Sequence, residues 1–162
     1  MTVAKELKVG DKAPKFSLLD TNENKISQDD FKGKWLVLYF YPKDNTSGCT
    51  TEAIDFTARI KDFVNLKAVV LGISPDSCRS HQNFTRKHDL KVNLLSDPEK
   101  KMLQDYGVWQ GKSMYGRKYM GVVRTTYLID PNGKIAAVWP KVKVNGHAED
   151  VQNRLKELQK KY

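Results

Sequence analysis

The segment WLVLYFYPKDNTSGCTTEA, residues 35–53, decides the fold. It opens with seven consecutive apolar residues, Trp35 to Tyr41, and Pro42 ends the run. An uninterrupted apolar run of this length is typical of a strand buried on both faces, as in the middle of an α/β sheet. A helix is expected after the loop, because apolar residues then recur as a single stripe at helical spacing. The stripe consists of Ala53, Phe56, Ile60, Phe63 and Val64.

Outward from this segment, strand and helix patterns alternate along the chain. Strands are predicted at residues 16–19, 25–27, 67–73, 92–95, 122–129 and 135–139, and the turn 130–133 joins the last two. Helices are predicted from residues 74–76 to about His88, over 97–106 and over 148–160. This order predicts an α/β, thioredoxin-like fold, in which helices flank a central mixed β-sheet. The first two strands would be an N-terminal β extension, and an insertion would precede the last hairpin.

Length and composition favour one globular domain over residues 1–162. The chain is 40% apolar and 29% charged, and no apolar run is long enough to cross a membrane. The segment Met1–Asp11 carries lysines but no apolar centre, so we expect no secretory signal and a cytoplasmic protein. The net charge of +9 is spread along the chain, which favours a solvated lysine-rich surface over a nucleic-acid site.

The two cysteines, Cys49 and Cys78, are too few for a secreted disulfide scaffold. They cannot form a zinc site alone, and His81, His88 and His147 lack the spacing of metal ligands. We therefore expect no metal and no other cofactor. Without the context of their neighbours, the two cysteines are explained equally well as buried packing residues with no chemical role.

Cys49 stands where the loop after a buried strand becomes a helix. Ligands bind at this edge of α/β sheets, and the first helical turn offers unpaired N–H groups with a partial positive charge. Such a position favours the thiolate, the nucleophilic form of cysteine. The neighbours Thr46, Ser47, Gly48 and Thr50 are small and polar, which argues against an apolar pocket. A core cysteine is the alternative.

The residues around Cys49 resemble the active-site segment of peroxiredoxins. That family's signature has a proline seven residues before the cysteine and a threonine three residues before it, and here these are Pro42 and Thr46. The likeness is greatest to the bacterioferritin comigratory protein group, also called the Q type. It covers nearly the whole chain, through residues 9–14, 41–53, 74–77, 80–81, 95–97, 124–130 and 146–149.

The resemblance implies a peroxidase in which the Cys49 thiolate attacks a peroxide oxygen, becomes a sulfenic acid and releases water or alcohol. Forming more thiolate gains little by itself, because nucleophilicity falls as the thiolate becomes easier to form. The site must therefore also stabilise the leaving oxygen. In this picture Arg124, on the predicted strand 122–129, holds both the thiolate and the peroxide.

The resemblance gives supporting roles to further residues of the same segment. The Thr46 hydroxyl would accept from and donate to the peroxide, and the Gly48 and Cys49 N–H groups would donate to it. Pro42 would shield the sulfur from water. Glu52 would either orient Arg124 or lie on the helix surface.

Three positions depart from the Q-type pattern. Ser47 replaces the usual proline before Gly48, which would loosen the loop without removing a reacting atom. The resolving cysteine of this group lies five or thirty-six residues after the first, where this chain has Ile54 and Thr85.

Three routes remain open for oxidised Cys49. An external thiol reduces it, Cys78 forms an internal disulfide with it, or it forms a disulfide with another molecule. Cys78 shares a helix face with Thr85 but lies roughly 10 Å away along the axis, so a bond to Cys49 would need different local unwinding. A small packing residue is the alternative for Cys78.

The resemblance also implies the substrates and partners: hydrogen peroxide and organic hydroperoxides, in antioxidant defence and cell redox homeostasis. The reductant would be thioredoxin, glutaredoxin or a small thiol, and the Q type is often monomeric.

Three other functions fit the sequence less well. A cysteine hydrolase needs a base beside Cys49, and His81 comes without an oxyanion motif. A disulfide oxidoreductase needs Cys-x-x-Cys, where this chain has Glu52. A non-peroxidatic basic binding or holdase module on the same fold is the non-enzymatic alternative.

Overall fold

The computed structural model describes residues 7–161. The strands are β1 Ser17–Asp20, β2 Lys25–Ser27, β3 Trp35–Phe40, β4 Ala68–Ser74, β5 Asn93–Ser96, β6 Trp109–Met114, β7 Arg117–Val122, β8 Thr125–Ile129 and β9 Ile135–Trp139. The helices are α1 Ser47–Ala58, α2 Ile60–Asn65, α3 Cys78–His88, α4 Lys101–Asp105 and α5 His147–Gln159, with a 3-10 turn at Gln28–Phe31. Within residues 7–161, no helix has the length and apolarity that a membrane span requires. The expected lack of a secretory signal over Met1–Asp11 falls partly on residues 1–6, which lie outside the described residues.

The central sheet is mixed, as predicted, with the strand order β2-β1-β5-β4-β3-β8-β9. Strands β3, β4 and β5 are parallel, and β8 and β9 continue the sheet in antiparallel pairs beside β3. Strand β1 pairs antiparallel with β5 and carries β2 at the sheet edge. The α/β, thioredoxin-like fold with its N-terminal β extension is therefore confirmed.

All six residues of β3 are buried, because the strand is covered on both faces. Val37 and Tyr39 face a cluster that includes Phe56 of α1 and Val151 of α5. The alternate residues of β3 face a second cluster, which contains residues of α4 and of the N-terminal segment. The alternation of buried side chains on both faces explains the uninterrupted apolar run that marked this strand in the sequence.

The predicted single helix after Cys49 is wrong, because the chain bends at Arg59 and forms α1 and α2. Arg59 has φ −107° and ψ 8°, which is outside helical geometry. The bend directs Phe63 toward the core, where its ring centroid lies 6.0 Å from that of Phe56. Val64 is exposed instead of completing the apolar stripe.

The predicted start of the next helix at residues 74–76 is also wrong. Ser77 is the N-cap of α3, and its hydroxyl accepts a hydrogen bond from the Ser80 N–H at 3.1 Å. Ser74 ends β4, and its hydroxyl donates to Asp76 at 2.8 Å. The capping chemistry was present in the sequence, but a different serine supplies it.

The insertion before the last hairpin is a two-stranded ribbon, β6–β7, which the sequence analysis did not predict. Tyr115 and Gly116 form its turn with φ values of 52° and 79°, as the two-residue turns of tight hairpins require. The predicted strand 122–129 is wrong at its start, because β7 ends at Val122 and β8 begins at Thr125. Arg124 therefore lies in a two-residue loop between strands.

Gly72 in β4 provides a test of the close packing around β3. A β-carbon at Gly72 would lie 2.6 Å from Tyr39 Cζ and 2.9 Å from Leu94 Cδ2. Both neighbours are fully buried, so neither has room to move. We expect Gly72→Ala to lower the free energy of unfolding by about 1–3 kcal/mol in urea denaturation.

The matched control for this variant is Gly111→Ala in β6, where a β-carbon meets no atom within 4 Å. Equal effects of the two substitutions would contradict the packing argument.

Candidate active site

Cys49 is the third residue of α1 and its side chain is only 1% exposed. The first bond of the helix runs from the Thr50 N–H to the Thr46 carbonyl at 2.9 Å, so the N–H groups before Thr50 have no intrahelical acceptor. The sulfur lies in the same apolar cluster as Ala53 and Phe56. The expectation that polar neighbours keep Cys49 out of an apolar pocket is therefore wrong.

Arg124 reaches Cys49 from the loop between β7 and β8. Its Nη2 donates to the Cys49 Sγ at 3.2 Å, and its Nη1 donates to the Glu52 Oε1 at 2.6 Å. The Arg124 carbonyl accepts from the Val142 N–H at 2.8 Å, which anchors its backbone. A guanidinium with two fixed donors can hold a carboxylate and a thiolate at once.

Glu52 is buried one helical turn after Cys49, so the alternative that it lies on the helix surface is wrong. Its Oε1 bonds Arg124, while no hydrogen-bond donor meets its Oε2 within residues 7–161. Burial raises the pKa of Glu52 to about 7, and the Arg124 charge opposes this shift. Burial works to lower the pKa of Arg124, but the charges of Glu52 and Cys49 raise it overall.

Thr46 is the N-cap of α1 and its side chain is exposed. Its hydroxyl donates to the Lys43 carbonyl at 2.8 Å, so the oxygen offers lone pairs rather than a proton to a bound molecule. Gly48 allows the guanidinium its position, since a β-carbon there would lie 3.2 Å from Arg124 Nη2. Pro42 is partly buried at the start of the same loop.

Two further residues act on this site, and the sequence analysis gave neither of them a role. Lys112 of β6 is close enough that both Arg124 and Cys49 influence it: burial lowers the pKa of Lys112, Arg124 lowers it further and Cys49 raises it. His147 at the start of α5 is buried, and its Nε2 lies 2.8 Å from the Thr126 hydroxyl. Burial lowers the pKa of His147 to about 4, with Arg124 adding to the shift and Asp150 opposing it.

His147 therefore places a neutral ring near Arg124 at neutral pH. Its ring contacts Phe56 and Trp139 edge-on, at centroid distances of 6.0 and 5.8 Å. The resemblance included His147 within residues 146–149, which was a signal for its position. Lys112 had no comparable signal, because it lies in the unpredicted β6–β7 ribbon.

His81 does not serve Cys49, because oxygen acceptors engage both of its ring nitrogens. Its Nδ1 lies 2.7 Å from Asp44 Oδ2, and its Nε2 lies 3.0 Å from the Leu95 carbonyl. Asp44 also accepts from the Tyr41 and Ser80 hydroxyls, both at 2.7 Å. This buried network ties the loop before α1 to α3 and gives His81 a structural role.

One group of possible metal ligands occurs within residues 7–161, formed by Asp44, Asp76 and His81. Their ligand atoms lie within 4.8 Å of one another. The hydrogen bonds of Asp44 and His81 already engage these atoms, and the Asp76 Oδ2 accepts from the Asp44 N–H at 2.8 Å. The cluster is explained by this bonding without an ion.

Cys78 has different surroundings from those of the Arg124 cluster. Cys78 is the first residue of α3, is partly buried and lines a cavity of about 510 Å³ with Leu18 and Pro98. Cys49 does not line this cavity. Of the two positions where Q-type proteins carry a resolving cysteine, Ile54 is exposed and the Thr85 hydroxyl is buried without a partner within residues 7–161.

Comparisons with known proteins find relatives over most of the chain. Residues 9–138 match the model of the AhpC/TSA family. The chain is 49% identical over 149 residues to a putative peroxiredoxin bcp of Coxiella burnetii, covering 92% of this chain and 99% of that protein. It is 43% identical over 155 residues to the peroxiredoxin Bcp of Bacillus subtilis, covering 96% and 99%.

Two solved structures are similar along most of the chain. A PrxQ mutant from Xylella fastidiosa has a TM-score of 0.91 and 36% identity, covering 96% of this chain and 99% of that one. The Xanthomonas campestris bacterioferritin comigratory protein, described for its alkyl peroxide reduction activity, has a TM-score of 0.84 and 39% identity. The match covers 88% of this chain and 90% of that chain.

The buried Glu52 predicts a pH dependence of stability. Its folded-state pKa of about 7 lies above the ordinary 4.5, so the folded protein binds the proton more tightly than the unfolded chain does. The contribution of Glu52 to stability is then lost as pH rises through the window between these values. We expect Glu52→Gln to become more favourable, relative to the glutamate protein, between pH 5 and pH 8.

Urea denaturation of Cys49→Ser with and without Glu52→Gln measures this difference, and the shared serine removes the titration of the thiol. If the stability difference between the two proteins is independent of pH, or favours glutamine more at pH 5, the burial effect on Glu52 is contradicted.

Proposed function

Because this chain belongs to the AhpC/TSA family of peroxiredoxins, it is a thiol-dependent peroxidase, and we propose that Cys49 is the residue that attacks the peroxide. The observation that carries this assignment is the 3.2 Å hydrogen bond from Arg124 Nη2 to Cys49 Sγ, made in the first turn of α1. Guanidinium and helix N-terminus both favour the thiolate form of a cysteine.

The chemical step breaks the O–O bond of the peroxide. The Cys49 thiolate attacks one oxygen and becomes the sulfenic acid, while the other oxygen leaves as alkoxide or hydroxide and takes a proton to form alcohol or water. Negative charge thus moves from sulfur to the leaving oxygen. The Arg124 donors and the free N–H groups of the first turn of α1 are proposed to stabilise this charge as it moves, which the bond from Nη2 to the sulfur supports.

Glu52 is proposed as the residue that positions Arg124. Its Oε1 holds Nη1 at 2.6 Å, which leaves Nη2 directed at the sulfur. Thr46 is proposed to accept the peroxide O–H, because its own proton is already donated to Lys43. Gly48 supplies space and an N–H group, and Pro42 shields the site from water.

We propose that both hydrogen peroxide and organic hydroperoxides are reduced. The organic substrates are supported by the Xanthomonas campestris relative, which is described for alkyl peroxide reduction. A cytoplasmic location and a monomeric state are also proposed. The non-peroxidatic holdase is not favoured, since the whole Cys49–Arg124–Glu52 arrangement is present.

Oxidised Cys49 is proposed to react with an external thiol, from thioredoxin, glutaredoxin or a small thiol. The Q-type resolving positions hold Ile54 and Thr85, and Cys78 lines a cavity that Cys49 does not line. An internal disulfide to Cys78 would have to join the first turns of α1 and α3.

The peroxidatic assignment predicts that Cys49→Ser abolishes peroxide turnover. Arg124→Lys keeps the charge but loses the rigid fork of donors that reaches Glu52 and Cys49 together, so we expect the rate constant with peroxide to fall at least about tenfold, or ~1.4 kcal/mol. Stopped-flow kinetics measure this rate, and Arg154→Lys at the protein surface is the control. Iodoacetamide alkylation of Cys49 should fall less than the peroxide rate, because it does not need stabilisation of a leaving oxygen.

Turnover near the normal rate in Cys49→Ser would refute the assignment of Cys49. Equal losses in peroxide and iodoacetamide rates of Arg124→Lys would show that Arg124 acts through the thiolate alone.

The external-thiol route predicts the product of one equivalent of peroxide in the absence of reductant. A non-reducing peptide map should show Cys49 as sulfenic acid, trapped by dimedone, and Cys78 as free thiol. Cys78→Ser should keep thioredoxin-dependent turnover within about twofold, a rate difference of less than 1 kcal/mol. A dominant Cys49–Cys78 peptide, with turnover lost in Cys78→Ser, would replace this route by the internal disulfide.

A further inference from the structure

The ribbon β6–β7 exposes large apolar side chains. Met114 and Met120 are 56% and 53% exposed, Tyr119 is also exposed, and Tyr115 at the turn is 99% exposed. Exposed apolar groups gathered on one element mark interaction surfaces more often than scattered ones do.

The strand register sorts these side chains onto two faces. Lys112 pairs with Tyr119, and Met114 pairs with Arg117, so these four residues share one face, which we call the inner face. Lys118 and Met120 alternate with them and lie on the opposite, outer face. Gly121 confirms the inner face, since a β-carbon there would lie 3.2 Å from Lys112 Cδ and 3.3 Å from Tyr119 Cε2.

The inner face adjoins the Cys49 site. Lys112 is the residue of this face whose charge interacts with both Arg124 and Cys49. Its stem packs over Gly121, only three residues before Arg124 in the chain. The inner face therefore extends from exposed Met114 and Tyr119, over Gly121, toward the loop that carries Arg124.

The charge of the ribbon indicates what kind of surface fits it. Residues 109–122 contain Lys112, Arg117 and Lys118 but no aspartate or glutamate, within a chain of net charge +9. A second copy of this chain would bring like charges together on this ribbon. An acidic surface with apolar side chains at its centre is complementary in both respects.

This position matters because of how oxidised Cys49 must be reduced. Cys49 is only 1% exposed, so a thiol from outside has to be brought to it by a docked molecule or by local opening. We propose that the inner face of the β6–β7 ribbon is the docking surface for an acidic protein that carries an exposed dithiol and reduces Cys49. This proposal rests on the peroxidase function and the external-thiol route given above.

The docked dithiol completes the reaction in two balanced steps. Its first thiolate attacks the Cys49 sulfenic sulfur, which forms a mixed disulfide and releases the hydroxyl oxygen as water after protonation. Its second thiolate then attacks the partner's own sulfur, so that Cys49 leaves as thiolate and the partner leaves as an internal disulfide. The dithiol thus supplies both electrons that the peroxide removed.

The test compares two double variants of the same ribbon. Met114→Ser/Arg117→Glu alters the inner face, and Met120→Ser/Lys118→Glu makes a matched change on the outer face. Each double variant removes one exposed methionine and reverses one positive charge. Both therefore change the net charge equally and introduce the same two residue types into the strands. Turnover is measured with an acidic thioredoxin, recycled by its reductase and NADPH, and separately with dithiothreitol.

The inner-face variant should lose at least about tenfold in the second-order rate constant with thioredoxin, while the outer-face variant stays within about twofold. Both should keep the dithiothreitol rate within about twofold. The thioredoxin rate of the unaltered protein should fall as salt is raised from roughly 20 to 500 mM, because salt screens the attraction between the basic and acidic surfaces. The inner-face variant should show little salt dependence.

Equal thioredoxin rates for the two variants would overturn the docking surface and leave the peroxidase intact, because dithiothreitol turnover reports on Cys49 itself. If the unaltered protein shows no turnover with dithiothreitol, the peroxidase function on which the proposal rests is refuted instead. A dimer in sedimentation that only the inner-face variant dissociates would also overturn it, by showing that a second copy occupies the face.

Discussion

The guanidinium of Arg124 connects the loop between β7 and β8 to helix α1, which is distant in the sequence. Its two donors reach Glu52 and Cys49, both on α1, while its own backbone lies between β7 and β8. A carboxylate as deeply buried as Glu52 is costly unless a charge and a hydrogen bond compensate it. The same contact therefore makes burial of Glu52 tolerable and fixes the donor that faces the sulfur, and it depends on Gly48 having no side chain.

The electrostatic balance around Cys49 follows from how deeply each group is buried. Arg124 remains charged because the charges of Glu52 and Cys49 outweigh the burial that would lower its pKa. His147 stays neutral, since burial and Arg124 lower its pKa to about 4 against the pull of Asp150. Partly exposed Lys112 is subject to the same balance, because burial and the Arg124 charge lower its pKa while Cys49 raises it.

A second buried network fixes the loop that presents Cys49. Asp44 receives hydrogen bonds from the hydroxyls of Tyr41 and Ser80 and lies 2.7 Å from the His81 Nδ1. These bonds connect the end of β3 to α3, so the loop enters α1 from a fixed point even though Ser47 replaces the proline usual in the Q type. Fully bonded polar networks of this kind hold one conformation, because any displaced member leaves a buried group unsatisfied.

Features that depend on local pattern could be predicted from the amino-acid sequence. The apolar run of β3, a helix around Cys49 and the turn before β9 were all predictable, because periodicity, capping and turn chemistry act over a few residues. Their alternation was enough to give the mixed α/β sheet with its N-terminal β extension.

The assembly of the site depends on long-range packing, which the sequence pattern does not show. Arg124 bonds a sulfur 75 residues away and a carboxylate 72 residues away, and no periodicity encodes such distances. The resemblance named Arg124 and Glu52, but the loop position of the first and the burial of the second came from packing. The β6–β7 ribbon was not predicted, because its glycines and lysines obscure the alternation of a strand. The influence of Arg124 and Cys49 on Lys112, which lies in this ribbon, was therefore missed as well. Burial and long-range contact belong to the whole chain, whereas a sequence pattern shows only neighbours.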